Sequence, residues 1–248
     1  MKIATWNLFD KNQKQIETIG FLFKEKVDIA CLQEVSLKTL EYLKTLELCI
    51  SSCKAYNHSG TDVFSVMLSK VQPSGKKIIE FGVIKATFLD RISGLNQSGS
   101  SYQFNDYAIG KKTLRVFNIH MPFGSSASKH LVLLKNLLKM LHNDANIICG
   151  DFNSFGHFPW KIILGPINAS IWQDYTTNEL NELKKLFEEV NLKLSLENVV
   201  TYPLCQTHID HIVIPKVWNN YTCTYYKARH GSDHRPVILQ IADADVSL

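Results

Sequence analysis

GSDHRPVILQ, residues 231–240, sets an aspartate and a histidine side by side at the mouth of an apolar run. HRPVILQI, residues 234–241, has the composition of a strand near the end of the chain. Aspartate is depleted in strands, so Asp233 beside His234 needs a reason. Either the pair simply opens a strand, or it is part of a centre completed by residues far away in sequence.

Outward from that stretch, strand-like and helix-like segments alternate. KIATWNL (2–8) is a short β-type run, and Gln13 to Lys26 puts Ile16, Ile19, Phe23 and Val27 on one helical face. DIACLQEV (28–35) is apolar until it turns acidic, as expected of a strand buried on both faces. Ser36 has the chemistry of an N-cap for a helix bearing Leu37, Leu40, Leu43 and Leu46. Further β-type runs follow at 63–69, 78–88 and 113–121, and the polar NQSGSSYQFND (96–106) reads as a surface loop. Ser125 to His142 spaces Leu131, Leu134, Leu138 and Leu141 as a helix. NIICGDFN (146–153) returns as a strand, a helix-rich stretch carries Leu180, Leu183, Leu186, Phe187 and Val190, and HIDHIVIP (208–215) is a strand. No low-complexity linker interrupts the order, so residues 1–248 are expected to form one domain. Both halves run strand, helix, strand, a coarse duplication without a sequence repeat.

Chemistry-bearing side chains stand where these strands end. Asn7 ends the first, Glu34 the second and His120 the 113–121 strand. Asp151 and Asn153, two apart and so on one side of an extended segment, end the 146–153 strand. Asp210 lies between isoleucines, where an unpaired carboxylate is costly. Any one of these has an ordinary explanation as a turn or a satisfied polar group. That explanation would have to hold at every strand end at once, and a convergent site is the more economical reading.

Such a set supports a recognisable chemistry. Glu34, with Asn7 or Asp233, offers hard oxygen ligands and no thiolate, which points to Mg²⁺ or Mn²⁺ rather than zinc. Asp151 and Asn153 are suited to orienting a water or holding a leaving-group oxygen. His120 and His234 are suited to bonding phosphate oxygens, and Asp210 to fixing the tautomer of one of them. Metal-assisted hydrolysis of a phosphate ester is the matching reaction class.

WN (6–7), LQEV (32–35), NIH (118–120), GDFNS (150–154), HIDHI (208–212) and SDHRPV (232–237) together resemble the endonuclease/exonuclease/phosphatase superfamily, in the same order and spacing. The resemblance implies the DNase I-like fold: an α/β, four-layered sandwich of two mixed β-sheets face to face, helices outside, and the site along one edge. It also implies roles. Glu34 matches the metal ligand, Asn7 the asparagine beside it and Asp233 a carboxylate near the metal. Asp151 and Asn153 match the pair that orients the attacking water. Asp210 matches the partner of the last histidine, His234 the histidine on the scissile phosphate, and His120 the second histidine of some branches. The carboxylate partner of His120 is open between Glu80, Asp90 and Asp106. Lys129 and His130 stand as polar heads where many relatives carry Arg and Gln.

Composition bounds the substrate. A net charge of +4 is mildly basic, which suits a phosphate-bearing substrate without suggesting a histone-like binder. The six cysteines form no CxxC pair, the N-terminal stretch lacks a signal-peptide core, and no segment reaches the roughly 20 apolar residues of a spanning helix. Reduced thiols and a cytoplasmic location without a transmembrane segment are therefore expected. A nuclease or other nucleotide-type phosphodiesterase is the leading expectation. A sphingomyelinase-like or inositol-phosphate-directed enzyme is the alternative, and a catalytically silent binding module is a third. His157 and Trp160, just after GDFNS, and Arg229, before Gly231, are candidate substrate contacts. Tyr102, Phe104 and Tyr107 are either a surface cluster or a base-stacking one.

Overall fold

A computed structural model describes residues 1–84, 95–122, 127–154 and 178–242, with the backbone alone for 81–84 and 95–101. The chain-order elements are β1 (Lys2–Asn7), α1 (Gln15–Lys24), β2 (Ile29–Ser36), α2 (Leu37–Lys44), β3 (Cys49–His58), β4 (Thr61–Ser69), β5 (Gly75–Ile84) and β6 (Leu95–Ile109). They continue as β7 (Lys112–His120), α3 (Ala127–Leu138), β8 (Ala145–Asp151), α4 (Glu179–Glu189), β9 (Leu192–Leu194), β10 (Asp210–Pro215), β11 (Tyr221–Tyr225) and β12 (Val237–Ile241).

The strands form two mixed sheets, ordered β11-β12-β1-β2-β4-β3 and β5-β6-β7-β8-β10-β9, which join where the start of β6 pairs with the edge strand β3. Read in those orders, both sheets pair antiparallel, antiparallel, parallel, antiparallel, antiparallel. The one parallel pair in each, β1–β2 and β7–β8, is bridged by a helix, because parallel neighbours cannot be joined by a tight turn. The faint strand–helix–strand duplication of the sequence is thus a duplicated topology, with α1 and α3 in equivalent places.

Alternation along the strands builds three apolar layers. Ile29, Cys31, Val116, Ile147, Cys149, Ile212 and Leu239 meet between the sheets. Leu32, Val66 and Ile238 pack outward with Ile19, Leu22, Leu40 and Leu43 of α1 and α2. Phe117, Ile148 and Val213 pack outward with Leu134, Leu183 and Phe187 of α3 and α4. The layers run helix, sheet, sheet, helix, as expected.

Some local expectations change. Residues 96–106 are not a surface loop but lie in β6. Gln103 and Asn105 point into the sheet–sheet interface, where Gln103 Nε2 donates to Ser65 O (2.9 Å) and Ser51 Oγ donates to Asn105 Oδ1 (3.0 Å). Tyr102 and Phe104 pack outward under the helices and Tyr107 packs inward, so all three are core and not a base-stacking surface. Gln103 and Asn105, two of the polar letters that read as loop, belong to the inter-sheet seam. Phe23 is 40% exposed, because α1 buries Gln15, Thr18, Ile19 and Leu22 instead. Ser36 does cap α2, accepting from Thr39 N. All six cysteines are free thiols.

Two positions lock the second sheet. Gly150 has φ +153°, and a Cβ there would lie 2.0 Å from Ile119 O. His130 is buried: Nδ1 meets Glu179 Oε1 at 2.6 Å and Nε2 meets Pro122 O at 2.9 Å, so two acceptors hold a doubly protonated ring that ties α3 to α4. Burial works against that charge, but the Glu179 carboxylate prevails and raises the His130 pKa. His130 is therefore a helix tie and not a polar head facing substrate.

Gly150→Ala should cost about 3 kcal/mol or more in urea unfolding, the range of a severe backbone clash. The His130 pair stabilises fully below pH 6.5, and its contribution fades as pH rises through the raised folded-state pKa. Glu179→Gln should lower stability at pH 6 by at least about 1 kcal/mol and flatten the alkaline decline measured from pH 6 to 9.

Candidate active site

The site begins at a bulge. Leu32 pairs with Val66 and Val35 with Phe64, so Gln33 and Glu34 of β2 stand opposite the single Ser65 of β4. Glu34 therefore does not end its strand. It takes up the extra residue at φ +55°, a left-handed backbone that is strained for a non-glycine residue. Gln33 turns into the sheet interface, where its Nε2 donates to Asn118 Oδ1 (2.7 Å). Val35 returns to the helix side.

Gln15, buried on α1, holds this geometry. Its Nε2 donates to Glu34 O (2.7 Å) and Phe9 O (2.8 Å), and its Oε1 accepts from Ser36 N (2.9 Å). The Glu34 carboxylate accepts from Asn7 Nδ2 and from Asp10 N, both at 3.0 Å.

Asn7 joins the two sheets at their common edge. Its amide donates to Glu34 Oε1 and to Asp151 Oδ2, each at 3.0 Å, while its Oδ1 accepts from Phe9 N. Asn7 and Glu34 come from the β1–β2 pair, and His120 and Asp151 from β7–β8, where they are register partners. Ligands of open α/β sheets gather at the carboxyl ends of parallel strands, and here two such ends face each other. Asn153, left-handed at φ +46°, donates its backbone N–H to Asp151 Oδ1 (2.9 Å) and its amide to Met121 O (2.8 Å).

On the far side, His234 Nδ1 lies 3.0 and 2.9 Å from the two oxygens of Asp210, which opens β10 opposite Asp151. Asp233 and His234 precede β12 rather than begin it. Ser232 Oγ donates to Asn7 O (2.7 Å) and accepts from His234 N (2.9 Å), and Trp6 Nε1 donates to His234 O (3.1 Å). The tryptophan and serine of the two motifs therefore act by clamping the histidine segment onto β1.

The two imidazoles flank one carboxylate. His120 Nε2 lies 3.8 Å from Asp151 Oδ2 and 3.7 Å from Glu34 Oε1. His234 Nε2 lies 3.8 Å from Asp151 Oδ2 and 3.8 Å from Asp233 Oδ1. These gaps exceed hydrogen-bond length and leave the Nε2 edges available to a ligand. Neither of the two proposed carboxylates that the structure describes, Asp106 and Glu80, partners His120. Asp106 is bound to Arg115 through both oxygens (2.7 and 2.8 Å), Glu80 is exposed on β5, and Asp90 lies outside the described residues.

Electrostatics separate the two histidines. Burial depresses the His120 pKa, outweighing the nearby carboxylates. Burial also opposes charge on His234, but Asp210 and Asp151 overcome it and hold the ring protonated. Burial pushes Asp151 up to about 6, with Asp210 adding to the shift and His234 opposing it. Asp233 likewise rises to about 6 through burial. Burial and then the Asp10 charge raise Glu34. Asp233 Oδ1 is sealed from solvent without a hydrogen-bond partner. A divalent cation fits this set, since it would supply the missing positive charge and use the orphaned oxygen. Asp151, Asp210 and His234 bring ligand-type atoms within 4.8 Å of one another, a buried group able to hold a metal.

Other residues around the site carried no recognisable sequence signal. Tyr56 lies against His120 with ring centroids 5.9 Å apart, and burial and Glu34 raise its phenol pKa. His58 Nδ1 bonds Asp10 Oδ2. Tyr202 lies on His234. Arg229 is exposed and meets the site only through its carbonyl, which accepts from Ser232 N (2.9 Å), whereas His230 stacks on Phe21 (4.8 Å). His157 and Trp160 lie outside the described residues.

Gln15→Ala would remove the side-chain partners of Glu34 O and Ser36 N, each worth about 1–3 kcal/mol when buried without a partner, and one of the two donors to Phe9 O, which keeps Asn12 N. Urea unfolding should show that loss, and Mn²⁺ titration calorimetry should show weaker binding because Glu34 is released from its bulge.

No family model matches the sequence, and no curated protein matches it significantly. Solved structures do. An endonuclease/exonuclease/phosphatase family protein from Leptotrichia buccalis superposes with TM-score 0.66 at 13% identity, covering 98% of this chain and 99% of that one. An AP endonuclease from Archaeoglobus fulgidus gives 0.62 at 17% identity, covering 97% and 99%. A mannosyl-6-phosphatase from Bacteroides thetaiotaomicron gives 0.60 at 15% identity, covering 98% and 99%. The chain therefore has the DNase I-like fold that endonuclease/exonuclease/phosphatase proteins share.

Proposed function

We propose that this chain is a Mg²⁺-dependent phosphodiesterase, that nucleic acid is its substrate, and that residues 1–248 work as one cytoplasmic domain. The observation that carries the reading is the pair of oppositely poised imidazoles on Asp151. His234 is held protonated by Asp210, and His120 is held neutral by burial. Paired groups whose surroundings drive their pKa values apart mark acid and base roles.

Glu34, with Asn7 and Asp233 beside it, would hold the metal, and Mn²⁺ suits the same oxygen donors. When bound, the metal supplies charge neutralisation at the phosphate and its leaving oxygen. The protein's own groups do the rest. Asp151, fixed through both oxygens by Asn7 and Asn153, is placed to accept a proton from the attacking water. His234 Nε2–H donates to a non-bridging phosphate oxygen, and Asp210, accepting from Nδ1, stabilises the doubly protonated ring that carries that proton. His120 Nε2 meets the phosphate from the Glu34 side. The mildly basic charge supports a polyanionic substrate, and one neighbour of the same fold is named as a nuclease. Another is named as a sugar phosphatase, so phosphomonoesters belong in the same assay.

Labelled single- and double-stranded DNA and RNA should be cleaved with Mg²⁺ and left intact with EDTA. Glu34→Ala and His234→Ala should each lower turnover at least about 10²-fold while keeping the circular dichroism spectrum of the folded parent. Near-normal turnover in either variant would refute the role given to that residue. Cleavage of phosphomonoesters or lipid head groups alone would refute the nucleic-acid assignment.

A further inference from the structure

The segment from Val200 to Thr207 straps the Asp210–His234 pair. Thr201 is fully buried, and its Oγ1 accepts from Ile209 N and Asp210 N, both at 3.1 Å. Its carbonyl accepts from Arg235 N (2.8 Å), and the carbonyl of Val200 accepts from Arg235 Nη1 (2.8 Å). One short stretch thus bonds the backbone on both sides of the pair: the start of β10 that presents Asp210, and the residue after His234. Tyr202 and Thr207 close the strap as a two-way backbone bridge.

This strap lays an aromatic ring on the histidine. The Tyr202 ring centroid is 4.7 Å from that of His234 with the planes tilted by 39°. The Tyr202 hydroxyl bonds no described residue, so the contact is made by the ring. His234 is held at Nδ1 by Asp210, at its backbone by Ser232 and Trp6, and on one face by Tyr202. The Nε2 edge is what remains. Contacts at Nδ1 alone leave an imidazole free to rock about its χ2 axis, and a packed ring removes that freedom.

We infer that Tyr202 is a positioning residue for His234: its ring closes one face of the imidazole and directs Nε2 toward the phosphate position beside Asp151. The inference rests on the phosphodiesterase reading for its rate effect, and on geometry alone for its structural effect. The ring, rather than the hydroxyl, is the working part. Phenylalanine should therefore replace tyrosine, and an aliphatic side chain should not.

The test compares Tyr202→Phe and Tyr202→Leu in the full chain, with Tyr202→Met as a second non-aromatic replacement. Turnover of bis(p-nitrophenyl) phosphate with Mg²⁺, thermal unfolding, and the His234 ring N–H signal by NMR are measured on each. That signal is assigned by its loss in His234→Asn. Tyr202→Phe should keep kcat within about twofold, and the aliphatic variants should lose about tenfold in kcat with little change in KM, the rate equivalent of one aromatic contact. Their unfolding midpoints should stay close to the parent's. The ring N–H signal should persist in Tyr202→Phe and broaden or vanish in the aliphatic variants. Equal loss in Phe and Leu would assign the role to the hydroxyl and overturn the inference, as would full activity in Leu and Met. If the parent turns over no phosphodiester, the functional reading fails by itself. The NMR comparison still decides the positioning, and an unchanged signal in Leu and Met would overturn it.

Discussion

Four carboxylates, Glu34, Asp151, Asp210 and Asp233, are brought to one edge of the molecule, where burial drives three of them upward in pKa. Gathering like charges away from water is the most expensive thing this fold does. Much of the local structure answers to that constraint. Asn7 spends both amide protons on two of the carboxylates, Asn153 and Asp10 spend backbone N–H groups, and His234 spends its Nδ1 on Asp210. What these donors leave unmet, above all Asp233 Oδ1, is what a bound cation and a phosphate would meet.

The duplicated topology explains how charges from such distant parts of the chain arrive together. Each sheet presents the carboxyl ends of one parallel pair, and the sheets are stacked so that the two ends coincide. A buried polar seam sets their relative position. Asn118 donates to Leu32 O (3.1 Å) and Val66 O (3.0 Å) and accepts from Gln33, so the residue two before His120 is bound beside the residue before Glu34. Polar residues inside an otherwise apolar interface specify register, because a slipped pairing would leave them without partners. The same asparagine that reads as an ordinary strand residue thereby couples the two halves of the site.

Legibility in the sequence followed the physics of each feature. Strands and helices with clear periodicity were readable, and so was the cap at Ser36, because those signals are local. Asp210, Asp233 and His234 were readable because carboxylates and imidazoles at apolar strand ends are improbable without a purpose. Gln15 and Tyr202 were not. A buried glutamine and a packed tyrosine look the same in sequence whether they hold a catalytic group or fill space. The β6 segment misled for the opposite reason, since Gln103 and Asn105 face another sheet and not water.

The layered sandwich was implied by the resemblance of the motifs to a family; by itself, the sequence determined the alternation of strands and helices, the carboxylates and imidazoles at their apolar ends, and the oxygen-rich chemistry such groups favour. Those follow from residue type, spacing and order, which need no coordinates. Only the tertiary structure decided that Glu34 sits in a left-handed bulge, that Asp106 belongs to Arg115 and not to His120, that His130 ties two helices, and that His234 lies under Tyr202. Each of these depends on which distant backbone passes within about 3–5 Å, a range set by packing between sheets and not by any neighbour in the chain.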